Sequence, residues 1–220
     1  MKIKAIVTGV TGMVGEGVVY ECLQHPDVEE VLVIGRKPCG MSNPKLKEII
    51  HKDFFDFSAI ESQLSGYNAC FFCLGVSSVR MKEEEYTKLT HTLTLHAGGT
   101  LAKLNSGMTF CYVSGAGTDS TEKGRMMWAR VKGKTENDLM KLPFKKVYNF
   151  RPGFITPTPG LNNTLKYYDY FGWLLPVVKL IAPYSGCTLN ELGIAMINSA
   201  SKGYEKQVLE VKDIIILAKR

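Results

Sequence analysis

The stretch "VTGVTGMVGEG", from Val7 to Gly17, constrains the fold more than any other feature of this chain. It follows the apolar run "IKAIVTG" and precedes a helix-like segment from Val14 to Gln24. Glycine is needed there for three physical reasons: a tight turn, close backbone approach to a pyrophosphate, and close packing of the helix on the strand. Phosphate at such a helix start meets free amides and the positive end of the helix dipole. A glycine loop placed between the first strand and the first helix is therefore read as a dinucleotide-binding loop, with Gly9, Thr11, Gly12, Met13, Val14 and Gly15 against the ligand.

The rest of the chain alternates in the same way. Strands are expected at "EVLVIGR", "LKEIIHK", "ACFFCLG", "MTFCYVSG" and "KVYNFRPG". Between them, helices are expected from Lys82 to Leu104 and from Arg125 to Lys141, with a short turn near Ser58 to Leu64. The strands are almost continuously apolar, which requires burial on both faces. This gives an α/β fold of Rossmann type, a doubly wound parallel sheet, in a single domain spanning 1–220. Within it, 1–153 forms the nucleotide-binding core, and 154–220 forms a small C-terminal cap with the last sheet elements. "FITPTPGLNN" reads as a loop leaving the sheet, followed by a helix from about Leu189 to Lys202, a strand at "QVLEV" and a terminal helix.

Composition narrows the function classes. The 27 basic and 21 acidic residues give a net charge of +6, spread without a like-charge run or interleaved aromatics, so no nucleic-acid surface is expected. The N-terminus carries no signal-peptide pattern, and the apolar stretch from Tyr170 to Pro183 is broken by Pro176 and Lys179. A cytoplasmic protein without membrane association is the expectation. Six cysteines lie mostly in apolar runs, which suits a reducing compartment. Cys70 and Cys73 fall on opposite faces of their strand, and His91 and His96 are about 140° apart on a helix, so no metal site is expected.

At the end of the second strand, Arg36 and Lys37 stand where an acid would favour NAD, and a guanidinium there suits the extra phosphate of NADP. NADP(H) is the expected cofactor.

"TGVTGMVG" resembles the Thr-Gly-x-x-Gly-x-x-Gly loop of the extended and atypical short-chain dehydrogenases/reductases, the NAD-dependent epimerase/dehydratase-like superfamily. The resemblance runs to about Gly153, and its flavour is that of NmrA-like and Tat-interacting-protein-like NADP-binding proteins. It implies that Asp53 and Phe54 lie near the adenine and that Leu74 and Gly75, in "CLGVSS", lie along the nicotinamide-side ribose. It also implies that Pro152, Gly153 and Phe154 form the turn near the carboxamide. Such enzymes use a serine after the fifth strand and a Tyr-x-x-x-Lys helix. Ser114 matches the serine and Lys132 the lysine, which also holds the ribose, but Trp128 occupies the tyrosine position. An indole N–H is a donor only and cannot exchange a proton near neutral pH.

Two readings stay open: an oxidoreductase with a modified catalytic set, Ser114, Trp128 and Lys132, or a redox-inactive NADP sensor or protein-interaction module. Tyr112 is read as core or pocket lining. Tyr167, Tyr168 and Tyr170 are candidates to enter the site from the cap. The apolar segment Tyr167 to Tyr184 is read as a lid over a small apolar substrate, a homodimer contact or core.

Overall fold

A computed structural model describes residues 2–163 and 184–220. Seven parallel strands form the main sheet, in the order β3-β2-β1-β4-β5-β6-β9. They are β1 (Ile3–Thr8), β2 (Val28–Gly35), β3 (Leu46–Ile50), β4 (Ala69–Phe72), β5 (Thr109–Val113), β6 (Lys146–Arg151) and β9 (Val208–Glu210). The order reverses between β1 and β4, and in open parallel sheets ligands bind outside the carboxyl ends of the strands at that switch point. β7 (Phe154–Thr156) and β8 (Gly186–Thr188) form a separate parallel pair.

Strand alternation divides the core into two layers. Ile3, Ala5 and Val7 of β1 face α1 (Met13–Gln24), while Ile6 joins the opposite layer with Phe72, Phe110 and Tyr112. Cys70 and Cys73 pack into opposite layers, as the strand period requires. The first layer is completed by α5 (Leu189–Ser201) and α6 (Val211–Ala218); α5 is fixed at its start by a Thr188–Glu191 capping box. Gly17 and Gly193 let α1 and α5 meet closely, since a Cβ on Gly193 would lie 2.7 Å from the Glu21 side chain.

The second layer holds α2 (Glu83–Thr87), α3 (Leu93–Leu104) and α4 (Met127–Leu139). The sequence suggests one α-helix from Lys82 to Leu104, but a π-helical turn at Lys88–Thr92 separates α2 from α3. Hydrophobic periodicity does not register one inserted residue. α4 starts two residues later than its pattern suggests. Its start has no side-chain cap, and Arg130 instead donates to the carbonyls of Gly124 and Arg125 at 2.8 and 3.1 Å.

Candidate dinucleotide groove and catalytic end

The glycine loop is built as its spacing requires. Gly9 adopts φ +74°, and a Cβ there would lie 2.5 Å from the Cys73 carbonyl oxygen. A Cβ on Gly15 would run into the Gly9 carbonyl, so the loop folds back on itself only with hydrogen at both positions. The Gly12 N–H donates to Gly9 O at 3.0 Å, and no side chain caps α1, which leaves its first turn as an anion cradle.

Three cavities run in series along the carboxyl edge of the sheet. The first, about 670 Å³, is lined by Thr11, Arg36, Lys37 and Lys52. The second, about 180 Å³, shares Arg36 and Lys52 with it and adds Asp53, Phe54, Phe55 and the 74–76 loop. The third, about 350 Å³, shares Leu74, Gly75 and Val76 with the second and ends at Val14, Ser114, Gly115, Lys132, Pro152 and Gly153. Residues from eight separate stretches of sequence thus line three adjoining cavities. A further cavity of about 470 Å³, lined by Thr109, Lys146 and Lys202 among others, opens at the amino ends of β5 and β6, away from the switch point.

At the first cavity Arg36, Lys37 and Lys52 are all exposed, and Lys52 is a third cation that the sequence reading passed over. Its only signal was position, one residue before Asp53. Asp53 is exposed, and its Oδ1 accepts the Phe55 N–H at 2.8 Å in a local turn. Phe54 is buried against Phe57, edge to face with centroids 5.6 Å apart.

The end of the groove that holds Lys132 is wired differently. Ser114 Oγ donates to Glu136 Oε1 at 2.5 Å and lies 3.1 Å from Phe150 O. A hydroxyl has one proton, so with it directed at the carboxylate, Ser114 offers only lone pairs to the cavity. Glu136 is fully buried and also accepts from Arg151, through Nε at 3.0 Å to Oε1 and through a second guanidinium N–H to Oε2. Arg151 reaches on to Ser120 Oγ at 2.5 Å and Glu210 at 3.1 Å. This ionic knot ties α4, β5, β6 and β9 beneath the cavity. Neither Glu136 nor Arg151 was singled out from sequence, because a Lys-x-x-x-Glu spacing on a helix is common and the partner is 15 residues away.

Lys132 lines the third cavity, and its Nζ donates to the Ser114 carbonyl oxygen. Burial lowers its pKa to about 8, against a smaller upward pull from Glu136. Trp128, one helical turn earlier, is half-buried and sits against Gly117, where a Cβ would lie 3.4 Å from the indole ring. It does not line the cavity that holds Lys132. Tyr112 is buried in the second layer, with its phenol pKa pushed up by burial, so it is core.

Gly153 packs against the Ser185 carbonyl, where a Cβ would clash, and Pro152 O accepts from Ala116 N at 2.9 Å. Phe154, exposed, donates its N–H to Ser185 O at 2.9 Å. Glu16, buried in the first turn of α1, accepts from the N–H groups of Asn162 and Asn163 at 2.8 and 2.7 Å, binding the loop after β7 to the glycine loop. Tyr167, Tyr168, Tyr170 and the apolar stretch before Tyr184 lie outside the described residues. Among the described residues, no His, Cys, Asp and Glu cluster could hold a metal ion, and no helix is long and apolar enough to cross a membrane.

Comparison with solved structures places this geometry. The enzyme WbmF of Bordetella bronchiseptica, solved with NAD+, superposes with a TM-score of 0.68 at 14% identity, over 99% of this chain and 77% of that one. The fold is the Rossmann fold of the epimerases and short-chain dehydrogenases. By sequence, the chain is 25% identical over 213 residues to Protein FMP52-1, mitochondrial, of Scheffersomyces stipitis, covering 92% of this chain and 90% of that one. It is 23% identical over 152 residues to Protein HTATIP2 of Rattus norvegicus, covering 68% of this chain and 61% of that one. No protein-family model matches. The expected cytoplasmic location is overturned by these relatives, several of which are named mitochondrial. That expectation rested on the missing signal-peptide pattern, which bears on secretion and not on delivery to an organelle.

Proposed function

We propose that this chain is an NADP(H)-dependent oxidoreductase of short-chain dehydrogenase/reductase type, acting on a small apolar carbonyl or alcohol with an altered proton relay. One observation carries the reading: three adjoining cavities, sharing lining residues in series, lead from a cluster of three cations to the cavity holding Lys132. The glycine cradle would take the pyrophosphate, with Asp53 and Phe54 near the adenine and Leu74 and Gly75 along the nicotinamide-side ribose. Lys132 would hold the nicotinamide-side ribose, and the Pro152–Phe154 turn would meet the carboxamide. When bound, the dinucleotide supplies or accepts a hydride.

Support for NADP over NAD comes from charge. Arg36, Lys37 and Lys52 surround the first cavity, a phosphate there would meet all three, and among the described residues no acid lines that space. Support for an apolar substrate comes from Val76 and Phe154, which stay exposed at the two turns of the catalytic end. A second reading, a redox-inactive NADP sensor, is favoured by Ser114 and Trp128: the hydroxyl proton is committed to Glu136 and the indole has none to exchange.

The test is fluorescence titration of the purified chain with NADPH and NADH, beside Arg36→Ala, followed by turnover assays on a panel of aldehydes, ketones and quinones. The proposal expects NADPH binding that weakens about tenfold or more in Arg36→Ala, a loss of about 1.4 kcal/mol, together with turnover on the panel. Binding without turnover supports the sensor. If neither nucleotide binds, both readings fall.

A further inference from the structure

We infer that Lys132 is itself the general acid of this site, giving a proton from Nζ to the substrate oxygen in place of the phenol that Trp128 lacks. The inference rests on the oxidoreductase reading and deepens it.

The donors that the described residues place around the third cavity point to it. Among the described residues, its titratable lining side chains are Lys132 and Cys73. Burial holds the Cys73 thiol far above its ordinary pKa, so it keeps its proton and is a poor partner in exchange. Ser114 has turned its proton towards Glu136. Glu136 lies behind Ser114, fully buried and paired with Arg151, and it makes no ion pair with Lys132. The Lys132 ammonium spends one N–H on the Ser114 carbonyl, leaving two for a ribose hydroxyl and a substrate oxygen. Among the described residues, the groups that face Lys132 are therefore Glu136 on its own helix, Cys73 beyond β4 and, through Glu136, Arg151 of β6. Burial is the main influence on its protons, and it lowers the pKa to about 8, close to an ordinary operating pH for an acid catalyst.

The chemistry balances without a further group. The carbonyl carbon gains a hydride from the reduced dinucleotide, and the π pair of the carbonyl moves onto oxygen. Oxygen forms its O–H bond as one Nζ–H bond breaks. Lys132 is left as a neutral amine, which regains a proton from water at the cavity mouth.

Two measurements test this on the full chain. In an NMR titration with ¹⁵N-labelled lysine, assigned by loss of one signal in Lys132→Arg, the Lys132 Nζ should titrate near 8, well below exposed lysines at about 10.4. With a substrate found in the panel and saturating NADPH, kcat for reduction should fall tenfold per pH unit above that value. Lys132→Arg keeps charge and donors but cannot release a proton, so it should lose about 10²-fold or more in kcat, with the pH break gone. Titration of Nζ with the exposed lysines, or a kcat that is flat across that pH range with turnover intact, would overturn the role of Lys132 and leave the oxidoreductase reading standing. NADPH binding without turnover on the panel would overturn both. Absence of binding would remove the cofactor assignment beneath them.

Discussion

The two ends of the groove are built on opposite principles. At the cation end, Arg36, Lys37 and Lys52 stand exposed on loop positions around an open cavity, and no salt bridge among the described residues involves them. At the Lys132 end, Ser114 and Arg151 are both bonded to Glu136, all three are buried, and Lys132 is bonded to the Ser114 carbonyl. One end is ready to meet a ligand's charge from water, where each contact contributes modestly. The other is prearranged and buried, where each polar group must be satisfied by the protein and a single unpaired charge is costly. Binding and chemistry on one sheet edge can therefore be altered independently.

The sharpest way to break that contrast is to remove the buried carboxylate. Glu136→Ala leaves the Arg151 guanidinium with its interior partner gone, and a loss of about 3–5 kcal/mol of stability is expected. Urea denaturation should show it as a lowered midpoint at unchanged slope. The double variant Glu136→Leu/Arg151→Met should recover part of the loss, because no buried charge remains.

Next in size is Trp128→Tyr, which restores a phenol one turn before Lys132. If the proton relay is what limits reduction, turnover should rise by about 10²–10⁴-fold, read in steady-state assays on the panel. No gain would mean that the half-buried indole position does not reach the substrate oxygen.

At the open end, Lys52→Met should weaken NADPH binding by about tenfold, roughly 1.4 kcal/mol, and leave NADH within error. The loss should shrink as salt rises, since exposed charges are screened over about 8 Å at physiological ionic strength. Equal losses for both nucleotides would place Lys52 off the 2′-phosphate.

A further effect concerns pH. Lys132 has a folded pKa of about 8 against an ordinary value of 10.5. Its protonated form therefore opposes folding below pH 8, and that opposition fades as pH rises from 8 towards 10.5. Buried tyrosines and cysteines with raised pKa values act in the other direction in alkali, so the difference between wild type and Lys132→Met is the quantity to follow. That difference should move in favour of wild type between pH 7.5 and 9.5, measured by denaturant midpoints at each pH; a constant difference would show that Lys132 does not titrate there.

Much of this architecture could be read along the chain. The glycine spacing, the strand runs from "IKAIVTG" to "KVYNFRPG" and the late helix and strand all recur in the structure, because both signals are local: hydrophobic period and glycine sterics act over a few residues. Arg36 was found because it follows a recognisable strand, and Lys132 because it sits at a fixed spacing from Trp128. The π turn at Lys88–Thr92 and the β7–β8 pair were missed; one inserted residue leaves no periodic trace, and a three-residue strand is too short to show alternation.

What the sequence determined by itself is the sheet, the loop and the absence of a tyrosine at position 128. Which protons remain free was decided only in three dimensions. Ser114 reads as a donor in isolation; it becomes an acceptor because folding carries Glu136 of α4 to within hydrogen-bond distance of its hydroxyl and of Arg151 from β6. Lys52 joins Arg36 because β2 and β3 are neighbours in the sheet. Burial likewise turns Lys132 from a solvated cation into a group that can give up a proton near neutral pH, since desolvation depends on what surrounds a side chain and not on its neighbours in the chain.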